Sequence, residues 1–473
     1  MERAVLDYFA RLWNAVEPHN KDNLESYWGF VLTMGSTEGN LYAMWNARDY
    51  LGGKKMLVDV EGGGTTVRIP EQGRVNVPQF VYHCAPISLA GSDNAYSPVA
   101  FFSEDTHYSI TKTMVVLGIQ TFAAEGSANY PGQCPLQGTN GDWPAEVPSN
   151  DDGTINIDAL ATLVEFFASK GHPIIVNFNY GTTFKGSYDD VARASEVLTP
   201  ILKRHGLYER EVHWNEEDPD VFDTRTGFWF HVDGALGATY MPYVEMAHDN
   251  PDGPLIDKKG PVFDFRLPTV HSISTSGHKW PGAPMPTGVY MTRTKYQMNP
   301  PDIPEYIGTP DTTFAGSRNG LSAMVLWENL ARHSLRDQIN KTLDLLKLAA
   351  TAEAMLRHLQ DDILKEDLLV ARSELSLTIR FRRANFNLCK KYSLSNETID
   401  GHQYSHIFIM EHVTEELLNE FIEDLKVPGA FEPVTAASSE STVISSIAKA
   451  KGLVAPSCNR LHLLSTASRG FRS

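Results

Sequence analysis

Between about residues 26 and 330, short apolar or β-branched runs alternate with longer segments of helical periodicity. This alternation constrains the fold more than any other feature, because it is typical of a doubly wound, mainly parallel sheet with helices on both faces. The predicted strands are 29–34, 99–104, 173–179, 227–233, 270–276 and 287–292, and the predicted helices include 39–51, 158–169 and 187–205. An earlier helix is predicted at the N-terminus, where Val5, Tyr8, Phe9, Leu12 and Val16 keep a helical period.

A second, smaller domain is predicted after residue 330. A long helical stretch from Leu321 to about Gln360 leads away from the sheet, and strands at 375–383 and 406–413 precede a helix at 415–426. We therefore divide the chain into a large domain at 1–330, a small α/β domain at 331–430, and a tail at 431–473. The tail is rich in Ser and Ala and is expected to be mobile or draped over the surface.

The composition excludes several classes of partner. A formal net charge of −17 argues against binding to nucleic acid or to an anionic membrane surface. No apolar run approaches the roughly 18 residues that a membrane-spanning helix needs, and no basic-then-apolar leader opens the chain. The four cysteines, Cys84, Cys134, Cys389 and Cys458, form no CxxC pair, so neither a metal site nor a disulfide framework is predicted. We expect a cytoplasmic protein.

Distinctive residues follow several predicted strands, where ligands gather in sheets of this kind. Gly35, Ser36 and Thr37 lie between a strand and a helix, and backbone N–H groups with two hydroxyls can form a phosphate cup there. The same residues serve equally as an ordinary turn and helix cap. His107 lies just past the strand 99–104, where its ring could stack on a flat aromatic ligand or simply cap a helix.

Two further strands end in residues with more specific chemistry. Asp233 ends an apolar strand, where burial raises the pKa of a carboxyl unless a cation or hydrogen-bond donors compensate. Ala235 is small enough to let a planar ring lie close. The alternative for Asp233 is an aspartate that only turns the chain. Lys279 in "SGHKW" offers an amine that forms a Schiff base with carbonyl compounds, or else is a solvated loop lysine.

A phosphate cup, a stacking histidine, a carboxylate for a pyridinium nitrogen and an imine-forming lysine, in this order, describe a pyridoxal phosphate site. Each signal alone is modest, but four independent coincidences in the right order are far less expected than one cofactor. A Rossmann-type dehydrogenase is disfavoured, because no GxGxxG motif follows the early strands.

On these motifs the chain resembles the group II pyridoxal-phosphate-dependent amino acid decarboxylases, in the branch of the histidine, valine and methionine decarboxylases. The matching stretches are "GSTEGN" (35–40), "DTHYSITK" (105–112), "NYGTTFKGSYDDV" (179–191), "HVDGALGA" (231–238), "SGHKW" (276–280) and "TPDTTFAGSRNG" (309–320). The resemblance implies fold type I, with a mainly parallel seven-stranded sheet in the large domain and a small C-terminal α/β domain. It also implies several dozen residues before the first residue of this sequence, either missing from the gene model or absent from the protein.

The resemblance implies a role for each residue around the cofactor ring. Lys279 would bond the cofactor aldehyde, and Asp233 would pair with the pyridine nitrogen. His107 would stack on one face of the ring, while Ala235 closes the other. Tyr306 is the candidate for returning a proton to Cα after CO2 leaves; its alternative is a packed loop aromatic.

The remaining implied contacts surround the cofactor and its phosphate. Ser36 and Thr37, in the cup that begins at Gly35, would bind the phosphate, with Ser276 and His278 nearby, and Thr182 would contact the cofactor from its own loop. Gly316 and Ser317 would reach the phosphate bound by the partner subunit. The resemblance therefore implies a homodimer with shared active sites.

The substrate is less constrained than the cofactor. No clear charged selector is present, so an L-amino acid with a neutral side chain is favoured: methionine, leucine or valine. Histidine is the alternative. Because the same Lys, Asp and His also serve other pyridoxal chemistry, transamination and oxidation to an aldehyde remain open, as does a truncated, non-catalytic scaffold that only binds the cofactor.

Overall fold

The computed structural model describes residues 1–54, 86–87, 93–213, 222–297, 313–399 and 401–432. Its twelve described strands fall into three sheets. They are β1 (Tyr27–Leu32), β2 (Val99–Phe101), β3 (Gln120–Thr121), β4 (Ile174–Asn179), β5 (Arg210–His213), β6 (Phe222–Arg225), β7 (Phe228–Asp233), β8 (Val270–Ser276), β9 (Gly288–Arg293), β10 (Thr378–Arg382), β11 (Ser395–Ile399) and β12 (His402–Phe408).

The described helices lie between and beyond these strands. They are α1 (Glu2–Leu12), α2 (Ser36–Leu51), α3 (Tyr108–Leu117), α4 (Phe122–Asn129), α5 (Ile157–Ser169), α6 (Val191–Arg204), α7 (Gly237–His248), α8 (Gly320–Arg332), α9 (Leu335–His358), α10 (Phe386–Lys391) and α11 (Glu415–Leu425). None of them is both long and apolar enough to cross a membrane.

The central sheet has seven strands in the order β1-β9-β8-β7-β4-β2-β3. Strand β9 runs antiparallel to both of its neighbours, and every other pairing within this sheet is parallel. The predicted mainly parallel α/β architecture is therefore confirmed. All six predicted strands occur within a few residues of their expected bounds, whereas β3 and the β5–β6 hairpin are too short to give a recognisable pattern.

Five strands of the central sheet are buried along their whole length, because helices cover both faces of the sheet: β2, β4, β7, β8 and β9. Strand β7 (FWFHVD) satisfies this burial with mostly apolar side chains. Strand β8 (VHSISTS) is equally buried although five of its seven residues are polar. Burying so many hydroxyl and imidazole groups is tolerated only where each finds a hydrogen-bond partner, so β8 marks a polar region inside the core.

The helical stretch predicted from Leu321 to about Gln360 is divided in the structure. Helix α8 ends at Arg332, and α9 begins after Ser334. Ser334 accepts a hydrogen bond from the backbone N–H of Asp337, and the Asp337 carboxylate accepts one from the Ser334 backbone N–H. This capping box starts a new helix, so the prediction of one continuous helix was wrong at this point.

The C-terminal part forms a separate three-stranded antiparallel sheet in the order β10-β12-β11. Strand β11 was not predicted, because its sequence SNETI is mostly polar and half-buried. Helix α9 contacts both β10 and α11 and so joins this sheet to the large one. The domain bounds of 1–330, 331–430 and 431–473 stay a prediction, and the tail from residue 433 lies outside the described residues.

Candidate active site

Adjacent strands β7 and β8 bring Asp233 and Lys279 into one site. The two strands are parallel, with Asp233 opposite Ser274, and the backbone N–H of Ser276 donates to the carbonyl of Ala235 at 3.1 Å. The turn that follows β8 then presents Lys279. Burial lowers the pKa of Lys279 from its ordinary value, and the nearby Asp233 carboxylate partly opposes this effect. A larger fraction of neutral amine makes Lys279 a better nucleophile near neutral pH.

Asp233 is buried, and two neutral groups donate to its carboxylate. Asn40 Nδ2 donates to Oδ2 at 2.7 Å, and the backbone N–H of Ala235 donates to Oδ1 at 3.2 Å. Because both donors are neutral, these hydrogen bonds leave the charge of the carboxylate uncancelled. Within the described residues no ion pair neutralises Asp233, so its charge is available to a protonated ring nitrogen.

His107 lies at the start of α3, where it caps the helix. Its Nδ1 accepts from the backbone N–H of Ser109 at 3.2 Å and lies 2.8 Å from Ser109 Oγ. Burial lowers the pKa of His107; Asp233 raises it, and Lys279 and Lys112 lower it further. His107 is therefore neutral at pH 7 and lies close enough to Asp233 and Lys279 to interact with both. His107 is thus a helix cap, and its stacking on the cofactor ring stays a prediction.

The predicted phosphate cup is the N-terminus of α2. Gly35 adopts φ 73° and ψ −168° there, a conformation essentially restricted to glycine, and a Cβ at this position would lie 2.5 Å from His278 Cε1. The Ser36 backbone N–H donates to Ser276 Oγ at 3.1 Å, and the two serine hydroxyls are 3.0 Å apart. Thr37 follows on the first helical turn and is half-buried.

A cavity of about 440 Å³ opens beside Lys279, between the large sheet and the C-terminal sheet. Its large-domain wall includes Thr182, Leu236, His278 and Trp280, and the contact of Thr182 with the cofactor stays a prediction. Its opposite wall comes from the end of β12 and the following turn: Phe408, Met410, Glu411 and His412. These four residues were not predicted from the sequence. The signal for them was their place at the end of the predicted strand 406–413.

The other predicted site residues are distributed as follows. Ala235 is buried directly beyond Asp233. Gly316 and Ser317 are exposed and are not among the residues that line the cavity. Tyr306 lies outside the described residues, so its role stays a prediction. Across the described ranges, no group of three or more His, Cys, Asp or Glu side chains is arranged to hold a metal ion.

Comparison with known proteins agrees with this geometry. Residues 90–358 match the model of the pyridoxal-dependent decarboxylase conserved domain. The chain belongs to the pyridoxal-dependent decarboxylase family. Its cofactor is pyridoxal 5'-phosphate, and its reaction is the decarboxylation of an amino acid. The predicted family, fold type and cofactor are therefore confirmed.

Individual members of the decarboxylase family show how far the similarity extends. The crystal structure of L-methionine decarboxylase from Streptomyces sp. 590 with L-methionine methyl ester superposes with a TM-score of 0.79 at 44% identity, over 90% of this chain and 82% of that one. Histidine decarboxylase of Solanum lycopersicum is 26% identical over 90% of this chain and 73% of its own length. Serine decarboxylase 1 of Oryza sativa is 24% identical over 90% of this chain and 63% of its own length.

Proposed function

We propose that this decarboxylase acts on an L-amino acid with a neutral side chain, with methionine favoured over leucine and valine. The carrying observation is the cavity beside Lys279, to which Leu236, Trp280, Phe408 and Met410 contribute apolar surface. An apolar wall binds thioether and branched aliphatic side chains through burial. Such a pocket separates side chains by only about 1–3 kcal/mol per methylene, so some breadth of substrate is expected.

The carboxylate that lines this cavity, Glu411, supports the same choice. Glu411 accepts from Lys341 Nζ at 2.6 Å, and Lys341 also lies 4.6 Å from the centre of the Trp280 ring. A carboxylate already paired with a lysine is a poor selector for a basic substrate side chain. The methionine decarboxylase of Streptomyces sp. 590, at 44% identity, adds further support for methionine.

Histidine is the second candidate substrate. His412 lies on the cavity wall and offers a hydrogen-bonding ring to an imidazole side chain. The histidine decarboxylase of Solanum lycopersicum is a relative, although at the lower identity of 26%. Transamination, oxidation to an aldehyde and cofactor binding without turnover are outcomes that the same experiment distinguishes.

The proposed roles follow from the contacts. Bound pyridoxal phosphate supplies an electron sink through its protonated ring nitrogen. Lys279 would hold the cofactor covalently, and ionised Asp233 would keep the ring nitrogen protonated. Neutral His107 would stack on the ring, and the small side chain of Ala235 would leave room on the opposite face. An interaction that stabilises the charge formed only as the bond between Cα and the carboxylate breaks lowers the barrier of the reaction itself.

The remaining groups would bind phosphate and move a proton. The N-terminus of α2 at Gly35, Ser36 and Thr37 would bind the phosphate. Ser276 accepts a hydrogen bond from the Ser36 backbone N–H, and His278 packs against Gly35. Thr182 would contact the cofactor from the cavity wall. Tyr306 would return a proton to Cα.

We further propose a cytoplasmic homodimer in which Gly316 and Ser317 bind the phosphate of the partner's cofactor. Both residues are exposed, and the adjoining helix α8 exposes Leu321, Met324 and Trp327. Large apolar side chains exposed along one helix are characteristic of an interface. A second copy of this chain would cover them.

A product survey tests the substrate proposal. The purified protein is incubated with pyridoxal phosphate and each of the twenty amino acids, and amines are identified by mass spectrometry. We expect 3-methylthiopropylamine from methionine, with smaller yields from leucine and valine. Histamine as the main product would replace the first candidate with the second. A 2-oxo acid (from transamination), aldehyde with peroxide and ammonia, or no CO2 from any amino acid would contradict decarboxylation of a neutral substrate.

Subunit complementation tests the shared site. Lys279→Ala and Ser317→Asp are each expected to be inactive, the second because an added carboxylate repels phosphate. If the sites are shared, each mixed dimer has one intact site and one site that lacks both residues. Mixed dimers make up about half of a co-expressed population, so co-expression restores about a quarter of wild-type activity. If each subunit supplies both residues to its own site, the mixture stays inactive and the shared-site proposal is wrong.

A further inference from the structure

Asn40 is buried at the centre of four hydrogen bonds next to the proposed cofactor site. Its Nδ2 donates to Asp233 Oδ2 at 2.7 Å and to Ser109 Oγ at 3.0 Å. Its Oδ1 accepts from Ser274 Oγ at 2.7 Å and lies 3.0 Å from His231 Nε2. A primary amide has two N–H donors and one oxygen with two lone pairs, so these contacts use its full capacity.

The orientation of this amide is fixed by the groups around it. Ionised Asp233 can only accept, so the amide nitrogen must face it and Oδ1 must face His231. Burial lowers the pKa of His231 to about 4, which leaves the ring neutral at pH 7 with a single N–H. That hydrogen must lie on Nε2 to meet Oδ1, and Nδ1 then accepts from Ser272 Oγ at 2.9 Å. The Ser272 carbonyl oxygen also lies 3.2 Å from Nδ1 and would accept from it in the other tautomer. Ser272 Oγ itself accepts from Trp229 Nε1 at 3.0 Å.

The tautomer of His107 agrees with the same orientation of Asn40. Ser109 Oγ accepts a hydrogen from Asn40, so its own hydroxyl hydrogen is free to point at His107 Nδ1, 2.8 Å away. The Ser109 backbone N–H donates to this nitrogen as well. Nδ1 is therefore an acceptor, and the imidazole proton lies on Nε2.

We propose that Asn40 is a positioning residue that sets the direction of the hydrogen bonds at both Asp233 and His231. Through the Ser109 hydroxyl the same amide also supports the hydrogen-bond direction at His107, across the polar interior next to β8. The inference rests on the proposed roles of Asp233 and His107. Aspartate at position 40 could not replace the amide, because it would place a second acceptor against Asp233 and require one carboxyl to take up a proton.

The test combines kinetics with imidazole 15N NMR of the apoenzyme and the holoenzyme. We expect Asn40→Ala to lower kcat by about 10- to 100-fold with a smaller change in KM, since positioning affects the transition state more than binding. In the apoenzyme of this variant His231 should gain the Nδ1–H tautomer, because its Nε2 loses its acceptor and the Ser272 carbonyl oxygen lies 3.2 Å from Nδ1. Asn40→Asp should lose activity with an added ionisation in the pH profile, which a merely space-filling role would not produce.

A measurement on the wild type keeps the inference testable if substitution of Asn40 impairs folding: its apoenzyme should show His231 as the Nε2–H tautomer. Ser109→Ala removes the hydroxyl between Asn40 and His107 but leaves the bonds from Asn40 to Asp233 and His231 intact, so it should not change the His231 tautomer. Asn46→Ala is the matched control: it lies on the same helix, but its Nδ2 donates to Tyr290 Oη at 2.9 Å, and it should leave kcat and the His231 signals unchanged. The Nδ1–H tautomer of His231 in the wild type, or an unchanged Nε2–H tautomer in Asn40→Ala, would overturn the inference. Because the NMR readout requires no turnover, it is independent of the outcome of the product survey.

Discussion

Replacing Lys279 with alanine is expected to lower decarboxylation by about three orders of magnitude or more, while the protein stays folded. The variant removes the only atom proposed to bond the cofactor covalently. Lys279 is half-buried on the turn after β8, and its amine makes no hydrogen bond or ion pair with the described residues, so loss of activity should be accompanied by little loss of stability. Amine production and thermal unfolding, measured on the same preparation, check the two halves of this expectation.

A chemical experiment separates covalent attachment from simple proximity. Borohydride reduces a lysine–cofactor link irreversibly, so peptide mapping of the reduced wild-type protein should find the cofactor on Lys279. Lys279→Arg keeps a positive charge but cannot form the link, and it should be as inactive as the alanine variant. Lys295→Ala is the control, because its ammonium pairs with Glu25 away from the cavity. Cofactor fixed to another lysine, or visible absorbance that survives in Lys279→Ala, would contradict the assignment.

Replacing Asp233 with alanine is expected to lower kcat by about two to four orders of magnitude. Without the carboxylate, the ring nitrogen loses the charge that keeps it protonated, and the cofactor no longer withdraws electrons effectively as CO2 leaves. The substitution also removes the group that raises the pKa of Lys279 and of His107. Both pKa values should therefore fall below their wild-type positions.

The pKa shift gives this second prediction an independent measurement. NMR titration of His107 in apoenzyme should place its midpoint at lower pH in Asp233→Ala than in wild type, and the lysine amine should react with added aldehyde from a lower pH. Asp233→Asn should show the same shift while preserving the shape of the site. Asp158→Ala, an exposed substitution in the first turn of α5, serves as the control. Near-wild-type kcat in Asp233→Ala would rule out the proposed electron-sink role.

The sequence determined the fold class and the proposed cofactor-binding residues for a local physical reason. Alternating strand and helix patterns are set by neighbours a few residues apart, and β7 and β8 were located closely from FWFHVD and VHSISTS. Because ligands collect at the carboxyl ends of parallel strands, the positions of Asp233 and Lys279, together with their chemistry and the order of the motifs, were enough to select them as candidates. The break between α8 and α9 was missed, since Ser334 and Asp337 form a cap within a pattern that otherwise continues.

Only the tertiary structure decided which distant groups surround those residues. Asn40 bonds to Asp233 across 193 positions and to His231 across 191, and no periodicity links residues so far apart. The cavity wall of Phe408, Met410 and His412 likewise depends on how the C-terminal sheet packs beside the large one. The ends of the predicted strands therefore indicated the residues that are proposed to contact the cofactor, whereas hydrogen-bond direction and pocket shape arise from packing between elements that are remote in the chain.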